Sequence, residues 1–285
     1  MFIFCIRFGA AALLLLIPFP QTSVAQIQFQ SLDREIIERR LKDFSRDNQK
    51  RKDILQRLFR SSGCEADNLR EQSVRKNLPP NLICTLPGRT DQVILVGAHF
   101  DHVQTGDGIV DNWSGAALLP TLLQSISGSP RHHTFLFVAF TGEEEGLLGS
   151  DFYVRKLTKE ERGRISAMIN LDSLGLGTTE VWATHADKAL LNALATVANA
   201  MKSPLSAVNV VGGSSDAESF ANFKIPRITL HSVSQETLAV LHSEKDKIDA
   251  IRWEDYYSTY RLLAGYLAFL DAYLVKTQKT PEEKH

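Results

Sequence analysis

Three apolar runs in this sequence each end on side chains that can bind metal ions or move protons. His99 follows directly on Val93-Ile94-Leu95-Val96-Gly97-Ala98, Glu143 and Glu144 come just after the run that ends at Phe140, and Asp172 follows Met168-Ile169-Asn170-Leu171. Asp111 and Asn112 lie between the first two runs, in a loop marked by Gly106, Gly108 and Gly115 that leads into a helix-like stretch. Taken singly, each has a bland alternative. Asp111 or Asp172 can cap a turn or a helix, Glu143 to Glu145 can open a solvated helix, and a lone His99 can be a hydrogen-bonded loop residue. Their shared position after strand-like runs separates them from that background, because loops beyond the carboxyl ends of strands present polar groups from a rigid base.

Imidazole and carboxylate donors without a thiolate suit zinc, cobalt or manganese, and His99 joined by a second histidine from elsewhere in the chain and three of these carboxylates would exceed the four positions of one tetrahedral ion. Two ions sharing a carboxylate fit the number of donors. Such ions sit about 3.5 to 4 Å apart and hold a water or hydroxide whose pKa falls far enough to give a nucleophile at neutral pH. Two dications, three carboxylates and one hydroxide sum to zero charge, so the buried cluster needs no further counter-ion.

Elements able to hold these groups can be read from the spacing of apolar residues. Leu82 to Leu86, Val93 to Ala98, Thr134 to Phe140, Ile165 to Leu171 and Ile225 to Leu230 read as strands, and Ser114 to Ile126, Ala186 to Met201 and Trp253 to Val275 as helices. A helical stretch precedes them, with Leu32, Ile36, Ile37, Leu41 and Phe44, then Ile54, Leu55, Leu58 and Phe59, Ser31 as its N-cap and Gly63 as its stop. Strands apolar along both faces, alternating with helices, predict an α/β fold: a three-layer α/β/α sandwich around a mostly parallel mixed sheet.

The 285 residues, 44% hydrophobic and 23% charged, supply one sizeable core. A net charge of -1 without a long run of like charge gives no electrostatic case for nucleic acid or an anionic membrane surface. At the N-terminus Arg7, the apolar run Ala10 to Phe19 and the small-residue pattern Ser23-Val24-Ala25 read as a signal peptide spanning 1–25. Pro18 and Pro20 interrupt the run short of the roughly 20 apolar residues a membrane span needs. The reading is therefore a secreted or periplasmic chain, not stably inserted in a membrane, with one catalytic domain over 26–285. Cys5 leaves with the signal. Cys64 and Cys84 are then either buried thiols or a disulfide closing a loop of about 20 residues, a bridge contributing on the order of 3 kcal/mol.

The strings Ala98-His99-Phe100-Asp101-His102-Val103, Asp111-Asn112-Trp113-Ser114-Gly115-Ala116 and Phe140-Thr141-Gly142-Glu143-Glu144-Glu145-Gly146-Leu147-Leu148-Gly149-Ser150 resemble the signatures of the two-zinc aminopeptidases, family twenty-eight of the metallopeptidases. The resemblance continues through Ile169 to Gly175 and Leu241 to Asp246, in the same order along the chain. It implies one zinc on His99, Asp111 and Asp172, a second on Asp111, Glu144 and His242, and Glu143 as general base. Asp101 would accept the ring N–H of His99 that faces away from the metal. A cis peptide at Asp111-Asn112 is implied as well. His231 also follows an apolar strand, and the motif favours His242 over it. Leu241-His242-Ser243 departs from the family's Tyr-His-Thr, and Ser215-Asp216-Ala217 departs from its Ser-Asp-His, which leaves the role of that triplet open.

The activity implied is removal of N-terminal residues from peptides with a free amino terminus. Two other readings stay beside it: a one-zinc glutaminyl cyclase on the same sheet, which the Glu-Glu-Glu-Gly-Leu-Leu-Gly-Ser string disfavours, and a catalytically inactive binding protein, which would usually have lost ligands. No insertion large enough for a dimerisation domain interrupts the motifs. Side-chain preference rests on loops such as Val210 to Ser215 and Val233 to Thr237, and oligomeric state is not encoded in any motif.

Overall fold

The strands that end on the candidate ligands form adjacent rungs of one sheet. A computed structural model describes residues 28–209 and 213–278; residues 1–25, expected from the sequence to be an export signal, and Val210 to Gly212 of the expected specificity loop lie outside them. In chain order the main elements are α1 (Arg34–Lys42), α2 (Asn48–Ser61), β1 (Leu69–Gln72), β2 (Asn81–Leu86), β3 (Val93–His99), α3 (Ser114–Ser127), β4 (Thr134–Phe140), α4 (Leu148–Lys156), α5 (Lys159–Arg164), β5 (Ile165–Leu171), β6 (Thr179–Val181), α6 (Lys188–Met201), β7 (Leu205–Ala207), α7 (Ala217–Ala221), β8 (Arg227–His231) and α8 (Trp253–Gln278). The eight strands run in the order β1-β2-β4-β3-β5-β8-β6-β7. The central four, β4, β3, β5 and β8, are mutually parallel, while β2 and β6 flank them antiparallel. All four central strands therefore finish at the same edge.

Side chains alternate along a strand, and both faces of these strands are apolar, so both must be covered. Ile94, Val96 and Ala98 pack into a core shared with α1, α2, α3, α6 and α8, whereas Leu95 packs with Val138, Phe140, Tyr153 and Phe220 under α4 and α7. Three layers result. Gly97 is required where β3 crosses the ring of Phe140, since a Cβ there would come within 2.6 Å of Phe140 Cε2.

Helix α8, at 26 residues, is the longest among the described residues, and three of its buried tyrosines tie it down. Tyr256 donates to the carbonyl of Ser114, Tyr266 to that of Leu190, and the Tyr260 hydroxyl meets Ser125 at 2.8 Å. Asp271 on the same helix accepts the main-chain N–H groups of His132 and His133 and faces His133 Nδ1 at 2.9 Å, fixing the start of β4.

The first helical stretch is two helices. Asp47 interrupts it by accepting the N–H of Lys50 as the N-cap of α2, and α1 starts after Asp33 instead of Ser31. Gly63, at φ 96°, ends α2 as expected. Cys64, just past that end, is bridged to Cys84 on β2 with 6.2 Å between Cα atoms, which joins the helix pair to the sheet. Strands β1, β6 and β7 were not expected; each is three or four residues long and only partly apolar.

Candidate metal centre at the carboxyl edge of the sheet

His99 is the last residue of β3, Asp172 the first after β5, and Glu143 and Glu144 lie three and four residues past β4. Asp111 comes from the segment Ile109–Trp113 that leads into α3, and the Asp111-Asn112 peptide is cis. Side chains staple this segment in place. The carboxylate of Asp246 accepts the N–H groups of Val110 at 2.7 Å and Asp111 at 3.1 Å. The fully buried Asn112 donates to the carbonyl of Leu171 at 2.9 Å and accepts from the N–H groups of Gly115 and Ser173 at 3.0 and 3.1 Å. Gly115 has to be glycine because a Cβ would meet both Asn112 Oδ1 and the Leu171 carbonyl at 2.6 Å.

These supports bring the five candidate ligands together around one carboxylate. Asp111 turns Oδ1 to His99 Nε2 and Oδ2 to His242 Nε2, each at 3.2 Å. His242 Nε2 also lies 3.0 Å from Glu144 Oε2, and His99 Nε2 lies 3.8 Å from Asp172 Oδ1. Donor atoms of His99, Asp111 and Glu144 fall within 4.8 Å of one another, as do those of His99, Glu143 and Asp172. Glu143 thus borders the ligand group on the Asp172 side. His242 adopts φ 55° and is the most exposed member, while the others are buried or nearly so.

Asp101 sits behind this cluster. Its backbone carbonyl is 3.2 Å from His99 Nδ1, and since a carbonyl only accepts, the ring proton belongs on Nδ1 and the Nε2 lone pair faces Asp111 and Asp172. The Asp101 carboxylate is 3.8 Å from that nitrogen and instead accepts the N–H groups of Glu143 and Glu144, both at 3.2 Å. It holds the turn that presents the two glutamates.

So many anionic donors in a buried space distort one another's protonation. Burial, aided by Asp216, Asp172 and Asp111 and opposed by His99, pushes the Glu143 carboxyl up to about 9. Hydrogen bonds to Asp111 and Glu144 push His242 up to about 10. For His99, burial opposes the charge, but Glu143, Asp111 and Asp172 outweigh it and hold the ring well above the usual imidazole range. Burial likewise works against ionised Asp111, yet its bonds to His242 and His99 win and keep it ionised far into acid. Protons and metal cations compete for such a cluster. The donor set fits a divalent ion: His99 Nε2 faces two carboxylates, an arrangement that needs either a proton or a metal cation between them, and Glu144 Oε1 is buried without a hydrogen-bond partner. All donors are nitrogen or oxygen, as zinc accepts.

The cluster opens into a cavity of about 510 Å³. Trp182, Val233, Leu238 and Leu241 give it an apolar wall, and Ser214, Ser215 and Thr229 a polar one. His231, the other histidine the sequence offered, ends β8 and borders the same cavity, but its Nδ1 is taken by the N–H of Val233 at 3.1 Å. Asp216, from the triplet left open above, is fully buried; burial raises it to about 7, and the nearby Ser150 hydroxyl is engaged with Leu147 and Ser219. Asp246 and Asn112 do more for the geometry than the sequence disclosed. Both flank or lie within the motif strings, which was the available signal.

Residues 81–267 match the model of Peptidase family M28. Leucine aminopeptidase 2 of Trichophyton rubrum is 37% identical over 91 residues, which is 32% of this chain and 18% of the fungal protein. BSAP, a zinc aminopeptidase from Bacillus subtilis, superposes with a TM-score of 0.61 at 26% identity, covering 66% of this chain and 49% of that one. LapB from Legionella pneumophila shares the fold over 90% of this chain and 77% of its own, with a TM-score of 0.72 at 19% identity. The matched segments thus span less than a fifth of the fungal relative and about half of the Bacillus chain.

Proposed function

The chain belongs to peptidase family M28, and from that premise we propose that it is a zinc aminopeptidase that removes N-terminal residues from peptides with a free amino group. The observation that supports this most is the arrangement around Asp111, whose two carboxylate oxygens face two different histidines at equal distances, 3.2 Å each. A single ion would leave one of those pairings without purpose. On this reading His99, Asp111 and Asp172 hold one zinc, Asp111, Glu144 and His242 hold the other, and Asp111 bridges. When bound, the ions supply Lewis acidity: they polarise the scissile carbonyl and acidify water at neutral pH.

The chain's own groups do the rest. Glu143 stands beside the ligands with no hydrogen bond to its carboxylate among the described residues; burial alone would hold it protonated, and once the site carries its cations the ionised carboxylate takes a proton from the attacking water. It then returns that proton to the leaving amine. Asp101 keeps Glu143 and Glu144 in register through their N–H groups and fixes the His99 tautomer through its own carbonyl. The carboxylates of Glu143 and Glu144 on the cavity's edge suit the substrate's amino terminus, and the wall of Trp182, Val233, Leu238 and Leu241 suits an apolar first side chain. Nothing in the overall charge calls for nucleic acid.

Residues 1–25 read as an export signal, and 26–285 as one catalytic unit acting in the periplasm or outside the cell. No helix among the described residues is long and apolar enough to cross a membrane. The test of the mechanism is Glu143→Gln. Turnover should drop by about 10²- to 10⁴-fold, the range for loss of a general base, while zinc content stays at the wild-type level. Full activity with metal retained would remove Glu143 from the chemistry, and one zinc per chain with pyroglutamate as product would replace the peptidase by a cyclase.

A further inference from the structure

Arg51 has no role in the mechanism above, yet it is fully buried and reaches the metal centre from outside the family-matched region. It belongs to α2, and its guanidinium touches no carboxylate within ion-pair distance among the described residues. All its hydrogen bonds go to main-chain carbonyls. Nε donates to Ser45 at 2.6 Å, Nη1 to Phe100 at 2.9 Å, and Nη2 to both Asp107 and Gly108, the latter at 3.0 Å. The guanidinium carbon lies 5.4 Å from the centre of the Trp113 ring.

The targets of these bonds are informative. Phe100 is the residue after His99, Asp107 and Gly108 come just before Asp111, and Trp113 comes just after it. One planar fork therefore grips the chain beside the ligand His99 and on both sides of the bridging carboxylate. Gly108 sits at φ 58°, and a Cβ there would come within 2.4 Å of His102 Cβ and 2.9 Å of Arg51 Nη2, so the loop is closed down on both side chains. The turn between α1 and α2 adds to the grip: Arg46 bonds the Asp107 carboxylate, and the Arg46 carbonyl is 2.9 Å from His102 Nε2. A positive charge buried here also faces Asp246, Asp101 and Asp111, which keep it protonated against the cost of burial.

We propose that Arg51 is a positioning residue of the metal centre, a cation through which the N-terminal helix pair holds His99 and Asp111 where one metal can bind both. The proposal rests on the metal reading above. It makes α1 and α2 part of the catalytic unit and not a separate appendage to the family core.

The test uses the full chain with Arg51→Met, Arg51→Lys and, as control, Leu55→Ala, which removes a fully buried side chain one turn along the same helix. Three quantities are read: melting temperature, zinc dissociation constant by competition with a chromogenic chelator, and amide hydrogen exchange of residues 100–113 in zinc-free protein. Arg51→Met should weaken zinc binding by about 10- to 100-fold, as loss of groups that orient metal ligands does, and deprotect 100–113. Arg51→Lys, which keeps the charge without the fork, should weaken it at least threefold. Leu55→Ala should lower the melting temperature and do neither. Equal weakening of zinc in Leu55→Ala at the same melting loss, or wild-type zinc affinity and protection in either Arg51 variant, overturns the proposal; if Arg51→Met does not fold, Arg51→Lys decides by the same readouts. Failure of the wild type to bind zinc sinks the metal reading instead, and the exchange pattern still decides whether Arg51 holds the segment.

Discussion

Replacing Asn112 by alanine should be among the most damaging single changes outside the metal ligands. The side chain is fully buried, and its three best hydrogen bonds all serve main-chain groups: the carbonyl of Leu171 and the N–H groups of Gly115 and Ser173. Alanine removes all three and leaves each main-chain partner buried. A stranded buried group costs about 1 to 3 kcal/mol. Water entering the vacated space recovers part of this, so the loss should be about 3 to 5 kcal/mol, a large share of the roughly 5 to 15 kcal/mol that holds a domain together. In a chain of this size each kcal/mol moves the melting temperature by about 2 to 3 °C, so the midpoint should fall by about 6 to 15 °C. The assay is thermal and urea unfolding in chelator, which keeps metal binding out of the comparison. Asn192→Ala, at an exposed position on α6, serves as the control and should change stability by less than about 0.5 kcal/mol. If Asn112→Ala falls within 1 kcal/mol of that control, the stapling of α3 to the end of β5 is not what stabilises this edge.

Other perturbations test separate parts of the account. Replacing both Cys64 and Cys84 by alanine opens a loop of 20 residues and should cost about 3 kcal/mol, read as a lower urea midpoint that reductant reproduces in the parent. Asp271 gives a pH signature: burial works to raise it, but its bonds to His133 and the two amides outweigh that and hold it below the ordinary carboxylate value. A depressed folded pKa contributes stability above the unfolded value of about 3.9 and loses it as pH falls through the folded one. Asp271→Asn should therefore flatten the acid limb of a melting-temperature profile below about pH 4, and an unchanged limb would show that the carboxylate's bonds contribute nothing. Trp182→Ala should raise KM for peptides with a large apolar first residue about 10-fold or more while changing kcat little, because it removes a wall of the cavity and touches no reacting group; a kcat loss with constant KM would contradict that placement.

What could be read from the sequence follows from burial. Strands β3, β4 and β5 are seven residues each and largely apolar on both faces; β3 and β4 announce themselves as near-continuous runs of Val, Ile, Leu and Phe, and β5 by Ile, Ala, Met and Leu around Ser166 and the buried Asn170. The edge strand β1, Leu-Arg-Glu-Gln, and the short β6 and β7 carry no such run, since their existence depends on a neighbour to pair with. The break between α1 and α2 was hidden because Phe44 continues the helical spacing of α1 and Ser45 to Asp47 is polar, which reads equally well as the solvent face of one long helix.

For the site, the chain positions of His99, Glu143, Glu144 and Asp172 at strand ends were visible without any comparison. The choice between His231 and His242 was not, since both follow apolar residues: the resemblance alone favoured His242, and the structure sets that ring beside Asp111 and Glu144. Arg51 was missed because Lys50-Arg51-Lys52 looks like a solvated charge cluster. Its helical spacing to Leu55, Leu58 and Ser62, all buried, was the signal that it points inward.

On the proposed reading two zinc ions at this edge serve hydrolysis of peptides at a free amino terminus. The most direct measurement is elemental analysis of the purified chain paired with hydrolysis of aminoacyl chromogenic amides, free or acetylated at the amino group, before and after chelation. Two zincs per chain and cleavage of the free amides alone, abolished by chelator and restored by zinc, are the expected result. Equal cleavage of acetylated amides, or full activity with the metal removed, would contradict it.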